Sequence, residues 1–464
     1  MRTTGKRSAF LLIFVALFAA GMIFFLFEYV TQGATWAMQP YNAHISGGTT
    51  ALTNGKITDR NGTVLMQAQD GKRTYADDKE VREATLHVVG DEGGNISTGV
   101  QSAFLSKLTG YNLMTGLADL HTAKTGGNIQ LTIDADLNKL AYEQFENEGR
   151  QGAAILTNWK TGEILAMVSL PTFDPANPPK DLESNSDYQG AYVNKVLSGQ
   201  LTPGSVFKIL TTAAAIKNLP DLDSMEFHCT GSETFNGNKV TDVEAQAHGD
   251  LDFKGALAHS CNVAFAELAV KIGADKMTDS MNQIGLLKPF TIDSIQVATG
   301  KYNVQGASED RLAWSGVGQD QDLVNPAYMV RLMGAIANNG TPEKLHFIQS
   351  VTGDLGIGSN YGKTEADTAL MDQNTANRLR DYMRYTVSSY YGDDTFPGIS
   401  KVCAKTGTGE LGGEKNNNGW MVAFSEDEST PYAVAVVVEH TPQYGSQSAG
   451  VIAKKLLAAA AEKS

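Results

Sequence analysis

The sequence predicts an α+β protein: one antiparallel sheet with helices packed around it, preceded by a small mixed α/β pedestal and one N-terminal transmembrane helix. Three observations carry this expectation. Residues 8–27 form an uninterrupted apolar stretch bounded by Arg7 and Glu28. Near Arg150 the turn-rich early chain gives way to a strand pair, 153–157 and 164–169, and then to long segments with helical apolar spacing. Strand-like runs return at 400–404, 420–425 and 433–439, before a closing helix at 449–461. A chain of 464 residues suggests two or three domains. The expected divisions are a tail at 1–7, the span at 8–27, the pedestal at 28–149 and the main domain at 150–464.

Twenty residues without a charge make a helix of about 30 Å, enough to cross a bilayer core. Arg2, Lys6 and Arg7 precede the stretch, so the positive-inside rule leaves the tail in the cytoplasm and everything after Glu28 outside. A cleaved signal peptide is the rival reading. Its apolar region would be shorter and would end at small residues, whereas Ala19-Ala20-Gly21 runs on into Met22-Ile23-Phe24. The expected location is therefore the cell membrane, single-pass, with the main domain extracytoplasmic.

In the pedestal, residues 56–66 read as two short strands around Asp59-Arg60-Asn61-Gly62, where Asn-Gly marks a hairpin. Residues 101–108 read as one short helix. Beyond Arg150, the stretches 206–217 and 263–272 carry helical apolar spacing.

Composition narrows the partners. Asp and Glu number 51 against 37 Lys and Arg, a net charge of −14, and this field repels a polyanion. Nucleic acid is excluded as a partner. Cys229, Cys261 and Cys403 contain no C-x-x-C pair, a spacing that excludes a zinc site built on cysteines, and the eight histidines form no H-E-x-x-H. Neither a metal nor a cofactor is expected. Two of the cysteines could pair in an exported protein; the sequence leaves the pairing open.

The chemistry lies in three short motifs. Leu201-Thr202-Pro203-Gly204-Ser205-Val206-Phe207-Lys208 contains S-x-x-K at a helix start. A helix there sets Ser205 and Lys208 on one face. Serine is a weak nucleophile that needs a base, and Lys208 can serve only when neutral, which burial and a second nearby cation favour. The bland alternative is a capping serine and a solvated lysine. S-x-N occurs as Ser260-Cys261-Asn262 and as Ser280-Met281-Asn282. The first opens a strongly apolar helix and is preferred; the second reads as surface. K-T-G occurs at Lys124-Thr125-Gly126, Lys160-Thr161-Gly162 and Lys405-Thr406-Gly407. Only the third continues a strand-like run and lies downstream of both other motifs. There Gly407 would let a substrate backbone approach an edge strand, Thr406 and Thr408 can bind a carboxylate, and the Thr408 amide can face Ser205.

In this order S-x-x-K, S-x-N and K-T-G form a serine acyl-enzyme set. With Gly316-Val317-Gly318-Gln319, Asn325-Pro326 and Ala337-Asn338-Asn339-Gly340, they resemble the penicillin-binding transpeptidases, specifically the small monofunctional class B members. The resemblance implies the fold shared by penicillin-binding proteins and serine β-lactamases. It implies a D-Ala-D-Ala transpeptidase that cross-links peptidoglycan stem peptides through an acyl-enzyme on Ser205 and is acylated by β-lactams. Lys208 would take the serine proton, Ser260 and Lys405 would relay it, and Asn262, Thr406, Gly407 and Thr408 would bind substrate. Candidate partners by resemblance are a polytopic membrane glycosyltransferase and proteins of division or elongation. Cys261 departs from the Ser or Asp common at the middle of S-x-N. Rival readings are a D,D-carboxypeptidase with water as acceptor, a penicillin sensor, and a scaffold with a dead site. A β-lactamase would need a second base, and a near-match to E-x-x-L-N downstream of Ser260, Glu309-Asp310-Arg311-Leu312-Ala313, reads as a charged helix start.

Overall fold

A computed structural model describes residues 2–37, 52, 54–109, 127–147, 149–352, 358–412 and 416–464. A long helix, Arg2–Ala37, contains the apolar window Phe10–Tyr29, whose mean hydropathy of 2.9 suffices to cross a membrane. None of that window is buried against the chain.

The main sheet has five antiparallel strands in the order Val402–Glu410, Asn417–Ser425, Tyr432–Thr441, Gln151–Asn158 and Ile164–Leu170. Its inner strands are covered on both faces, so 432–438 reads as a continuous apolar run without alternation. Helices Ala135–Glu146 and Ala449–Glu462 cover one face through Leu137, Phe145, Leu456 and Leu457. Helix Pro326–Ala337 lies against the other and is buried at all twelve positions, as an all-round apolar helix must be. Helices packed on an antiparallel sheet are the expected architecture.

The second sheet has six strands. Gly55–Thr58 and Val64–Gln69 form the expected hairpin, with a bulge at Ile57/Thr58, and Lys72–Tyr75 adds a third strand. Asn128–Leu131 pairs parallel with the first strand. Ile348–Thr352 and Gly358–Asn360 complete the sheet from far down the chain. The helix expected over 101–108 is instead two single turns, Val100–Ala103 and Leu105–Leu108, interrupted at Phe104.

Candidate active site

The nucleophile turn comes first. Its opening is not α-helical: Gly204–Phe207 is a 3₁₀ turn that runs into the α-helix Lys208–Asn218. Side chains three apart eclipse in a 3₁₀ turn, which aligns Ser205 with Lys208 more closely than an α-turn would. Gly204 holds φ at +55°, and a Cβ there would stand 2.3 Å from the Thr408 carbonyl oxygen. Only glycine lets this turn lie against the strand Val402–Glu410. Gly407 serves the same contact from the other side, since a Cβ on it would meet the Pro203 oxygen at 2.7 Å and the Val206 nitrogen at 2.8 Å. The sequence reading assigned that room to a substrate backbone; the structure fills it with the turn bearing Ser205.

The second element is the chain reversal at Ser260. Helix Phe253–Ala258 ends with the Ser260 N–H bonded to the Leu257 carbonyl and the Cys261 N–H to the Ala256 carbonyl, a Schellman closure. Its left-handed position, normally glycine, is Ser260 at φ +57°. A serine there is strained. In return, both its carbonyl and its hydroxyl point at one lysine. Lys208 Nζ donates to the Ser260 carbonyl at 2.5 Å, to Ser260 Oγ at 3.2 Å and to Asn262 Oδ1 at 2.6 Å. These three contacts match the three donors of an ammonium group. Asn262 Nδ2 is tied to the Thr241 carbonyl at 2.8 Å, which fixes its amide orientation.

Lys405 approaches from the edge strand. Its Nζ donates to Ser260 Oγ at 2.8 Å and to the Thr406 carbonyl at 3.0 Å. Both lysines are fully buried. Burial lowers the pKa of Lys208 to about 8. It holds that of Lys405 well below the usual lysine range, and the charge of Lys208 pushes it further in the same direction. Ser260 Oγ is therefore shared between two buried lysines, and a proton on Lys208 disfavours one on Lys405.

The strand Val402–Glu410 lies at the sheet edge, and its sides alternate. Lys405 and Gly407 are buried, while Thr406 and Thr408 are half-exposed. Tyr391, which no motif flagged, accepts from the Thr406 N–H at 3.2 Å and lies 3.0 Å from Thr406 Oγ1. The Thr406 N–H thus faces away from the neighbouring strand, and alternation sends the Thr408 N–H to the same free edge. Gln319, from the glycine-flanked motif at 316–319, donates to the Thr408 carbonyl at 3.3 Å.

The decoy motifs fall elsewhere. Lys160-Thr161-Gly162 forms the turn between the strands Gln151–Asn158 and Ile164–Leu170, with Gly162 at φ +79° and Lys160 paired with Glu428 at 2.7 Å. Lys124-Thr125-Gly126 lies outside the described residues. Ser280, read as surface, is in fact buried within the helix Ala274–Gln283 and donates to the Lys276 carbonyl at 2.7 Å. Helical spacing turned it inward toward the helix Lys208–Asn218, where Asn218 Nδ2 bonds its hydroxyl at 3.2 Å. Cys229 and Cys261, far apart in sequence, lie beside Asp242 and His248, with one side-chain N, O or S atom of each within 4.8 Å of the others.

A family model of the penicillin-binding protein transpeptidase domain matches residues 152–458. The peptidoglycan D,D-transpeptidase PbpA of Mycolicibacterium smegmatis is 29% identical over 399 residues, which cover 78% of each chain. PbpA of Mycobacterium tuberculosis is 26% identical over 361 residues, covering 73% of this chain and 72% of its own. Among solved structures, the ceftriaxone acyl-enzyme of penicillin-binding protein A from M. tuberculosis superposes with a TM-score of 0.77 at 23% identity, covering 89% of this chain and 99% of its own. This chain belongs to the penicillin-binding protein transpeptidase family.

Proposed function

We propose that the chain is a peptidoglycan D,D-transpeptidase whose nucleophile is Ser205. One observation carries the reading: a single hydroxyl, Ser260 Oγ, lies within hydrogen-bond reach of two fully buried lysines, one of which follows Ser205 by three residues and donates its backbone N–H to the Ser205 carbonyl. Ser205 Oγ attacks the penultimate carbonyl of a D-Ala-D-Ala stem while neutral Lys208 takes its proton. The resulting oxyanion is met by the N–H groups of Ser205 and Thr408. Collapse expels terminal D-Ala, whose amine receives the proton through Ser260 from the lysine pair. An amine of a second stem then attacks the ester, returns a proton by the same route, and frees Ser205 with the cross-link formed. Asn262 orients the donor amide, and Thr406 with Thr408 holds the terminal carboxylate. β-Lactams acylate the same serine.

Arg2, Lys6 and Arg7 ahead of the apolar window support an outward-facing main domain. The exposed apolar helix offers a lateral surface to a polytopic glycosyltransferase or to division and elongation proteins in the membrane. The test uses the full chain in detergent with a D-Ala-D-Ala pentapeptide and an added amine acceptor. Release of D-Ala with an amide product in excess over hydrolysis is expected. Hydrolysis alone would make the chain a carboxypeptidase, and no turnover with no penicillin adduct would make it a scaffold.

A further inference from the structure

One short segment, 315–322, touches the elements that carry all three catalytic motifs. It leaves the helix Glu309–Val317 and reverses at Gly318, whose φ of +91° is left-handed. The Gly316 carbonyl accepts the Thr211 hydroxyl, on the helix Lys208–Asn218, at 2.8 Å. Gly316 also lies against the helix Asn262–Ile272, where a Cβ would stand 2.4 Å from Ala269 Cβ and 2.7 Å from the Phe265 carbonyl oxygen. The Gly318 carbonyl accepts the N–H of Gly204, the residue before Ser205, at 2.9 Å. Gln319 then reaches the edge strand at the Thr408 carbonyl. The place of this segment therefore sets where the Ser205 turn lies relative to the other two motifs.

A buried pair closes the segment on itself. Ser315, in the last turn of the helix, and Asp322, beyond the reversal, are both buried, and Ser315 Oγ lies 3.1 Å and 3.0 Å from the two carboxyl oxygens. The charged groups that act on Asp322 are Asp320 on the same turn and Arg311 on the helix, and these pair with each other at 2.7 Å. Tyr302, whose ring stacks on Phe207 with centroids 5.6 Å apart, faces the same buried pair.

Among the described residues no cation contacts Asp322, and the Ser315 hydroxyl is the side-chain donor in reach. Burying a carboxylate with so little support is costly, whereas a neutral carboxylic acid needs no cation and brings a proton of its own to donate. Burial, with Asp320 adding to it, raises the pKa of Asp322 well above the usual carboxylate range. We propose that Asp322 and Ser315 are positioning residues: their contact fastens the turn after Gly318 against Gly204, and the Asp322 carboxyl does this uncharged. The effect on acylation rests on Ser205 being the nucleophile; the clasp itself does not.

The test uses stopped-flow acylation of the full chain in detergent by a fluorescent penicillin, from about pH 6 to 9, the range where a lysine base titrates. Asp322→Asn keeps the shape and a neutral donor and acceptor, so it should acylate within about twofold of the parent throughout that range. Asp322→Ala and Ser315→Ala should each lower the limiting acylation rate about tenfold and spare apparent penicillin binding, because a displaced Ser205 acts on the chemical step. Loss confined to binding, or parent-like rates in both alanine variants, would overturn the positioning role. An Asp322→Asn protein that is as slow as Asp322→Ala, fails to fold, or departs from the parent as pH rises would overturn the uncharged carboxyl. If Asp322→Ala fails to fold, Ser315→Ala decides, read also by hydrogen exchange of the Gly204 amide. That exchange should be about tenfold faster than in the parent, as a loosened local unit opens more often. Unchanged exchange would refute the clasp. A parent that penicillin never acylates would count against the nucleophile reading alone, since exchange is read without chemistry.

Discussion

The side-chain nitrogen of Lys405 stands 2.8 Å from the hydroxyl oxygen of Ser260, although 145 positions separate the two residues. Removing that amine leaves Ser260 Oγ with Lys208 alone and takes a hydrogen-bond donor from the proton route through Ser260. Lys405→Ala should slow penicillin acylation about 10²–10³-fold, the usual loss for one transition-state donor. Lys160→Ala, in the half-buried turn where Lys160 pairs with Glu428, should label like the parent. Stopped-flow acylation with a fluorescent penicillin reads both. Equal damage from Lys160→Ala in a folded protein would reassign the motif.

The pH dependence follows from Lys208. Its pKa is lowered by burial to about 8, so below that pH most molecules carry an ammonium that cannot accept the Ser205 proton. The acylation rate constant should therefore climb about tenfold per pH unit below 8 and level off above it. A profile flat from pH 6 to about 9 would remove Lys208 from the role of base.

Tyr391 supplies a third expectation. Tyr391→Phe deletes the acceptor of the Thr406 N–H and the contact with Thr406 Oγ1. The edge strand should loosen by about 1 kcal/mol, a factor of about five in acylation efficiency. The loss should appear in apparent binding of penicillin more than in the limiting rate, which separates positioning from chemistry.

The chain's legibility in sequence differed by element. The five strands of the main sheet were visible because burial on both faces leaves unbroken apolar runs such as 433–438. The strand Val402–Glu410 was read only to Ala404, because Lys-Thr-Gly-Thr-Gly carries turn residues. In the fold those glycines admit the Ser205 turn to a strand that continues. Ser205, Lys208, Ser260, Asn262 and Lys405 were legible from motif order. Tyr391 was not, since its partner lies on another element and no pattern links the two. The second sheet's last strands, at 348–352 and 358–360, were hidden for the same reason: their pairing is wholly non-local.

The fate of the adduct follows from Glu309. It is exposed at the start of the helix Glu309–Val317, where a carboxylate suits the helix dipole. It is not a base for deacylating water, so the penicilloyl enzyme should persist for many minutes and Glu309→Gln should leave its lifetime unchanged. Intact-mass spectra after drug removal measure this. Rapid return to the parent mass, abolished in Glu309→Gln, would make the chain a β-lactamase.

The central claim is that Ser205 is the nucleophile, and peptide mapping after a penicillin pulse tests it most directly. The full chain should gain one penicillin mass, carried on the peptide containing Ser205, and Ser205→Ala should gain none. An adduct on Ser260 or Ser280, or continued labelling of Ser205→Ala, would contradict the account.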